Sequence, residues 1–179
     1  MQIRALLATA LWSLSFAAAQ TAQPKPLPEV PYVPTENPVV EAMLNLAGVR
    51  STDIVYDLGC GDGRIVVMAA RNYGAHGVGV DINPERIRDA RANAQRNAVE
   101  NLVKFEENDL FNADIHDATV VTLYLLPNVN LRLRPKLLKE LKPGTRIVSH
   151  SFDMGDWKPE KEEVVDGQRL YLWTIPPKK

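Results

Sequence analysis

Val55-Tyr56-Asp57-Leu58-Gly59-Cys60-Gly61-Asp62-Gly63 is a β-branched run that ends in an acid and passes into a triple-glycine turn. Such a segment is expected of a strand whose carboxyl tip receives a nucleotide-like ligand. Only a backbone without Cβ turns this tightly after a strand and lets a ligand lie against it. The glycines fall as GxGxG, and Arg64 stands where a dinucleotide-binding GxGxxG fingerprint places its third glycine. Taken alone, the loop also reads as a plain turn between a strand and a helix.

Outward from this loop the chain alternates short apolar runs with helical patterns. Ile54 to Leu58, Gly77 to Ile82, Leu102 to Glu106, Thr119 to Leu125 and Thr145 to Ser149 have the length and composition of strands covered on both faces. Between them a helix is predicted through Ile65 to Ala70, another from Pro84 to about Asn97 with Asn83 as its cap, and a broken helix over roughly Val129 to Leu141. Asn37 before Pro38 resembles an N-cap, so a helix that Gly48 stops should precede the first strand. This pattern demands an α/β fold with a parallel sheet. Lys161 to Val165 and Arg169 to Ile175 flank Asp166-Gly167, the signal for an antiparallel hairpin at the end.

The 179 residues, 45% apolar and 24% charged, suit one folded domain with a substantial core. Lys and Arg number 21 against 22 Asp and Glu, a net charge of -1, so no general field collects nucleic acid. Arg86, Arg88, Arg91 and Arg96 alternate with Glu85 and Asp89 and read as a solvated helix face. Arg4 precedes an apolar segment from Ala5 to about Ala19, and Ala17-Ala18-Ala19 offers a cleavage site before Gln20. The expected organisation is a signal peptide over 1–19, a proline-rich linker over 20–30 and a domain over 31–179. An exported protein with no stable membrane span after cleavage follows; an uncleaved anchor is the alternative. Cys60 is the only cysteine, so no intramolecular disulfide is available.

Several strand tips carry suitable groups together. Asp57 and the glycine loop stand at the first; Asp81 ends the second and can accept from both hydroxyls of a ribose. At the third, Asn108-Asp109-Leu110-Phe111 offers a carboxylate for an adenine amino group beside apolar cover. The three describe an adenosine site. The GxGxG spacing favours S-adenosylmethionine over NAD, and the lack of a phosphate-gripping lysine argues against a nucleoside triphosphate. Each group has a plainer reading: Asp81 as a solvated residue or partner of Arg86, Asp109 as a cap, Phe111 and Tyr124 as packing. His150 reads as a base or as a hydrogen-bonded structural group. No His, Cys or carboxylate cluster has metal-ligand spacing, so no metal is expected. Leu126-Pro127-Asn128 lacks the Asn-Pro-Pro-aromatic run of enzymes that methylate base amines, which argues against a nucleic-acid substrate.

With these residues in view, the chain resembles class I S-adenosylmethionine-dependent methyltransferases. More narrowly it is similar to archaeal broad-specificity protein-lysine methyltransferases and, more distantly, to enzymes that methylate the mitochondrial ATP synthase c-subunit. The resemblance runs from about Pro31 to Trp173 and is carried by Pro31-Tyr32-Val33-Pro34-Thr35, Tyr56 to Arg64, and Pro143 to His150. It implies a Rossmann-like, seven-stranded, mostly parallel sheet with a C-terminal antiparallel hairpin and helices on both faces. It also implies a protein substrate presenting lysine. Asp57, Gly59, Gly61 and Gly63 would hold the methionine part of the cofactor, Asp81 the ribose, and Asp109 with its neighbours Asn108 and Leu110 the adenine; Cys60 and Ile82 would also bind the cofactor. Tyr32 and Thr35 would close over the transfer site, with Tyr124 shaping its channel. A small-molecule methyltransferase and a non-catalytic cofactor-binding envelope protein are the competing readings.

Overall fold

The computed structural model describes residues 32–178; the expected signal peptide and linker lie outside the described residues. Eleven elements follow in order: α1 (Asn37–Leu46), β1 (Ile54–Leu58), α2 (Arg64–Tyr73), β2 (His76–Asp81), α3 (Pro84–Arg96), β3 (Val103–Glu107), β4 (Val120–Leu123), α4 (Pro127–Glu140), β5 (Arg146–His150), β6 (Lys161–Val165) and β7 (Gln168–Thr174). The seven strands form one sheet in the order β3-β2-β1-β4-β5-β7-β6. β1 to β5 run parallel, while β7 is antiparallel to both β5 and β6. The expected Rossmann-like sheet with its closing hairpin is present.

Two apolar layers hold this sheet. On one face α1, α2 and α3 bury Val40, Met43, Leu44, Val66, Ala69, Ile87 and Ala90 against Val55, Val120 and Val148. On the other, α4 sets Leu133 and Leu137 against Leu58, Val121, Leu123, Ile147 and Trp173. Alternation along β1, β4, β5 and β7 feeds both layers, since successive side chains point to opposite faces.

Three local expectations change. The N-cap of α1 is Glu36 rather than Asn37, without a side-chain cap bond, and Pro38 serves the first turn. The helix expected to break over 129–141 is continuous from Pro127 through an internal Pro135. Pro135 has no N–H to donate to the Leu131 carbonyl one turn earlier, and Leu131 lies on the exposed face of the helix. β4 ends at Leu123 rather than Leu125, because Pro127 opens α4 and holds Leu126 extended. Tyr124 therefore stands on the loop beyond the strand tip. Asn83 does cap α3, its Oδ1 accepting from Glu85 N at 2.8 Å.

Candidate active site

The sheet order reverses beside β1, with β2 on one side and β4 on the other, and a cavity of about 300 Å³ lies over these strand tips. Its wall includes Tyr32, Thr35, Asp57, Gly59, Cys60, Gly61, Asp81, Ile82, Asn108, Asp109, Leu110 and Tyr124. Of the cofactor-binding residues expected from sequence, Gly63 is absent from that wall. It starts α2 in the left-handed region at φ +71°, and a Cβ there would sit 2.5 Å from Phe105 Cε1 and 2.9 Å from the Ala90 Cβ. Its role is close packing of the loop on α3 and β3.

The first tip contributes Asp57, only 3% exposed, whose Oδ1 accepts from the Thr122 hydroxyl at 2.8 Å. Burial pushes its carboxyl up to about 7; the Thr122 bond opposes the shift and the charges of Asp81 and Asp62 add to it. The backbone N–H groups of Gly59 and Cys60 donate to the Val80 carbonyl at 2.8 and 2.9 Å, tying the loop to β2. Burial also raises the Cys60 thiol well above its ordinary value, with Asp57 and Asp81 adding to the effect, so it is held protonated.

At the second tip the Asp81 carboxylate is gripped by backbone. Gly61 N donates to Oδ2 at 2.9 Å and Asn83 N to Oδ1 at 2.8 Å. It is not the partner of Arg86, which pairs with Asp89 at 2.8 Å. At the third tip, Asp109 Oδ1 accepts from Phe111 N at 2.9 Å, the capping geometry, while the residue also lines the cavity. Leu110 and Phe111 are half-buried beside it, and Arg132 lies over the Phe111 ring at 4.6 Å.

The segment Tyr32 to Thr35 crosses this cavity as a strap. The Tyr32 ring sits where a Cβ on Gly61 would be, 2.4 Å from Tyr32 Cε2, so glycine is required for the approach. Arg86 stacks its guanidinium over the same ring at 4.5 Å. Arg64 holds the strap's other end, donating to the Thr35 carbonyl at 2.9 Å while gripping Asp62 through Nε at 2.9 Å and Nη2 at 2.8 Å. Thr35 is buried, with Oγ1 3.1 Å from His150 Nδ1, and Tyr124 stacks on the His150 ring with centroids 3.8 Å apart. His150 stands behind the wall rather than in it, against its reading as a base for the acceptor.

Sequence reasoning did not single out Asp62, Arg64 or Arg86 as strap partners. Arg86 belongs to a helix face that reads as solvated, and the detectable signal was only its place in the first turn of α3 beside Asp81. Among the described residues no group of three or more His, Cys, Asp or Glu side chains is placed to hold a metal ion. No described helix is long and apolar enough to cross a membrane.

A 3-2-1-4-5-7-6 sheet with a cavity at its β1 switch point defines a class I S-adenosylmethionine-dependent methyltransferase fold. The ANTKMT methyltransferase domain model matches residues 57–161, and the chain belongs to that family. A protein-lysine N-methyltransferase of Saccharolobus islandicus (strain REY15A) is 51% identical over 83% of this chain and 96% of its own length. An adenine nucleotide translocase lysine N-methyltransferase of Mus musculus is 36% identical over 73% of this chain, which spans 57% of that relative. A crystal structure of an RNA methyltransferase from Salinibacter ruber, in complex with S-adenosyl-L-homocysteine, superposes with a TM-score of 0.81. It shares 56% identity and covers 82% of this chain and 96% of its own.

Proposed function

We propose that this chain transfers methyl groups from S-adenosylmethionine to lysine side-chain amines of proteins. The carrying observation is the order of groups over the sheet. Asp109 on the β3 side, Asp81 on β2 and Asp57 with the glycine loop on β1 suit the adenine, ribose and methionine parts of one extended ligand. The cavity fits that ligand on its own terms, because Asp57 is a buried carboxylate paired with a neutral hydroxyl, and an α-ammonium is its complement. Beyond the methionine end, on the β4 and β5 side, stand Thr35 and Tyr124, brought together through His150. The 51% identity along nearly the whole archaeal protein-lysine enzyme supports lysine as the acceptor.

When bound, the cofactor supplies an electrophilic methyl on a positive sulfonium that leaves as a neutral thioether. The chain's task is to hold an amine in line with it, an entropic contribution of roughly 7 to 11 kcal/mol in favourable models. Tyr32 and Thr35 cover the site and exclude water, and the aromatic wall at Tyr124 favours the neutral form of an amine whose reference pKa is about 10.4. A dedicated nucleophile on the chain is not needed. The basic groups at the cavity are engaged internally, Arg64 with Asp62 and Arg86 with Asp89, which favours a protein acceptor over the polyanion named for the Salinibacter neighbour.

The test is incubation of the purified protein with isotopically labelled cofactor, envelope proteins and total RNA in parallel, followed by mass spectrometry. Label on lysine, lost in Asp81→Ala together with cofactor affinity, is expected. Label on RNA alone, or on a small molecule alone, would replace the reading; intact cofactor binding with no transfer would make this a binding protein. We also infer export, supported by Arg4, the apolar run to Ala19 and the Ala17-Ala18-Ala19 site. The native chain should begin at Gln20 by intact mass, and a native chain retaining Met1 to Ala19 in the cytoplasm would overturn this.

A further inference from the structure

We infer that His150 is a positioning residue that turns the Thr35 hydroxyl into a pure acceptor for the substrate amine, leaving the amine's lone pair uncontested for methyl transfer. The inference rests on the amine-acceptor reading above. Its basis is a directional chain of hydrogen bonds. Ser151 Oγ donates to Gln168 Oε1 at 3.1 Å, and a carboxamide oxygen only accepts. His150 Nε2 lies 3.2 Å from the same oxygen and so carries the proton there. Burial lowers the His150 pKa, the Gln168 bond opposing, so the imidazole is neutral and its Nδ1 presents a lone pair. Thr35 Oγ1, 3.1 Å from Nδ1, is then the donor of that bond.

The consequence falls on the cavity side. Thr35 lines the cavity, and with its proton committed to His150 only its oxygen lone pairs remain to face a ligand. An attacking amine must donate N–H to its surroundings while keeping its lone pair for the methyl carbon. A hydroxyl with a free proton would hydrogen-bond that lone pair and quench the nucleophile; this one is prevented from doing so. Tyr124, stacked on the imidazole at 3.8 Å, closes the aromatic wall around the relay. Arg64 is engaged on the Thr35 carbonyl and Asp62, and Arg169 on Glu162.

Two measurements test this. Nitrogen-15 spectra of the imidazole in the purified protein should show His150 protonated at Nε2 and bare at Nδ1 near neutral pH; the Nδ1–H tautomer or an imidazolium would overturn the inference. In lysine methylation, Thr35→Val and His150→Leu should each lower kcat about tenfold, the worth of about one hydrogen bond, with KM and cofactor Kd within about twofold. Thr35→Ser should restore the rate, as should His150→Asn, whose side-chain carbonyl still accepts from Thr35. The double variant should be no slower than either single one, because His150 acts through Thr35. A wild-type kcat in His150→Leu with preserved cofactor binding, or multiplying losses in the double variant, would overturn the relay while leaving lysine methylation standing. A wild type that binds cofactor and methylates no amine would remove the reading and the relay together.

Discussion

Asp53, just before β1, and Asp57, near its far tip, are both buried carboxylates, 6% and 3% exposed, yet their surroundings differ. Asp53 accepts from the Thr119 hydroxyl at 2.7 Å and from Arg50 N at 2.8 Å, and it pairs with Arg146. Burial pushes its pKa up, but Thr119, the Arg50 N–H and Arg146 outweigh that and hold it below the ordinary carboxylate range. Asp57 has the Thr122 hydroxyl, two like charges nearby, and a pKa raised to about 7. One end of the sheet satisfies its acid with the chain's own cation. The other leaves an acid for which a ligand is the natural counter-ion, and this difference separates the supporting end of the fold from the working end.

The largest effect that sharpens this contrast is expected from Asp57→Asn. Loss of a buried charge-assisted contact to the cofactor's ammonium, about 1.5 to 3 kcal/mol, should weaken cofactor binding roughly 10- to 150-fold by calorimetry. The cofactor-free variant should melt above wild type at neutral pH. The folded state binds the Asp57 proton more tightly than an unfolded chain with its ordinary pKa of 3.8, so that group's stabilisation is lost as pH rises from about 4 to 7. An unchanged melting temperature with unchanged affinity would break the contrast. Asp53→Asn should do the opposite, destabilising the fold by about 2 kcal/mol in urea through the weakened Arg146 pair, with cofactor affinity retained. A loss of affinity without a loss of stability would place Asp53 in the working end. The smallest effect is expected from Arg86→Ala, which removes one cation–π contact from Tyr32 of about 0.5 to 1 kcal/mol and should raise KM about threefold.

The two ends of the cavity also differ in how far they can be read from sequence. Asp57, Asp81 and Asp109 are legible because each stands at or just past the end of a strand-like run, and strand tips of an open α/β sheet converge on one place. The strap is not, since Thr35 meets His150 across 115 positions of chain and no local pattern records that meeting. The family resemblance points to Tyr32 and Thr35; the structure supplies what holds them. Tyr124 falls within an apolar run that reads as strand and yet stands on a loop, because the proline opening α4 ends β4 early. Gly63 looks like its neighbours in the loop, yet its open space is filled by Phe105 and Ala90 from distant elements, which a glycine count does not register.

The most direct test of an acid reserved for the cofactor is a calorimetric titration of wild-type protein and Asp57→Asn with S-adenosylmethionine between pH 5.5 and pH 7, where the ligand's ammonium stays charged. With the Asp57 carboxyl at about 7 in the cofactor-free protein, wild-type affinity should rise about 15-fold across that range as the carboxylate ionises, and the variant should stay flat. A flat wild-type profile, or an equal rise in Asp57→Asn, would contradict the account.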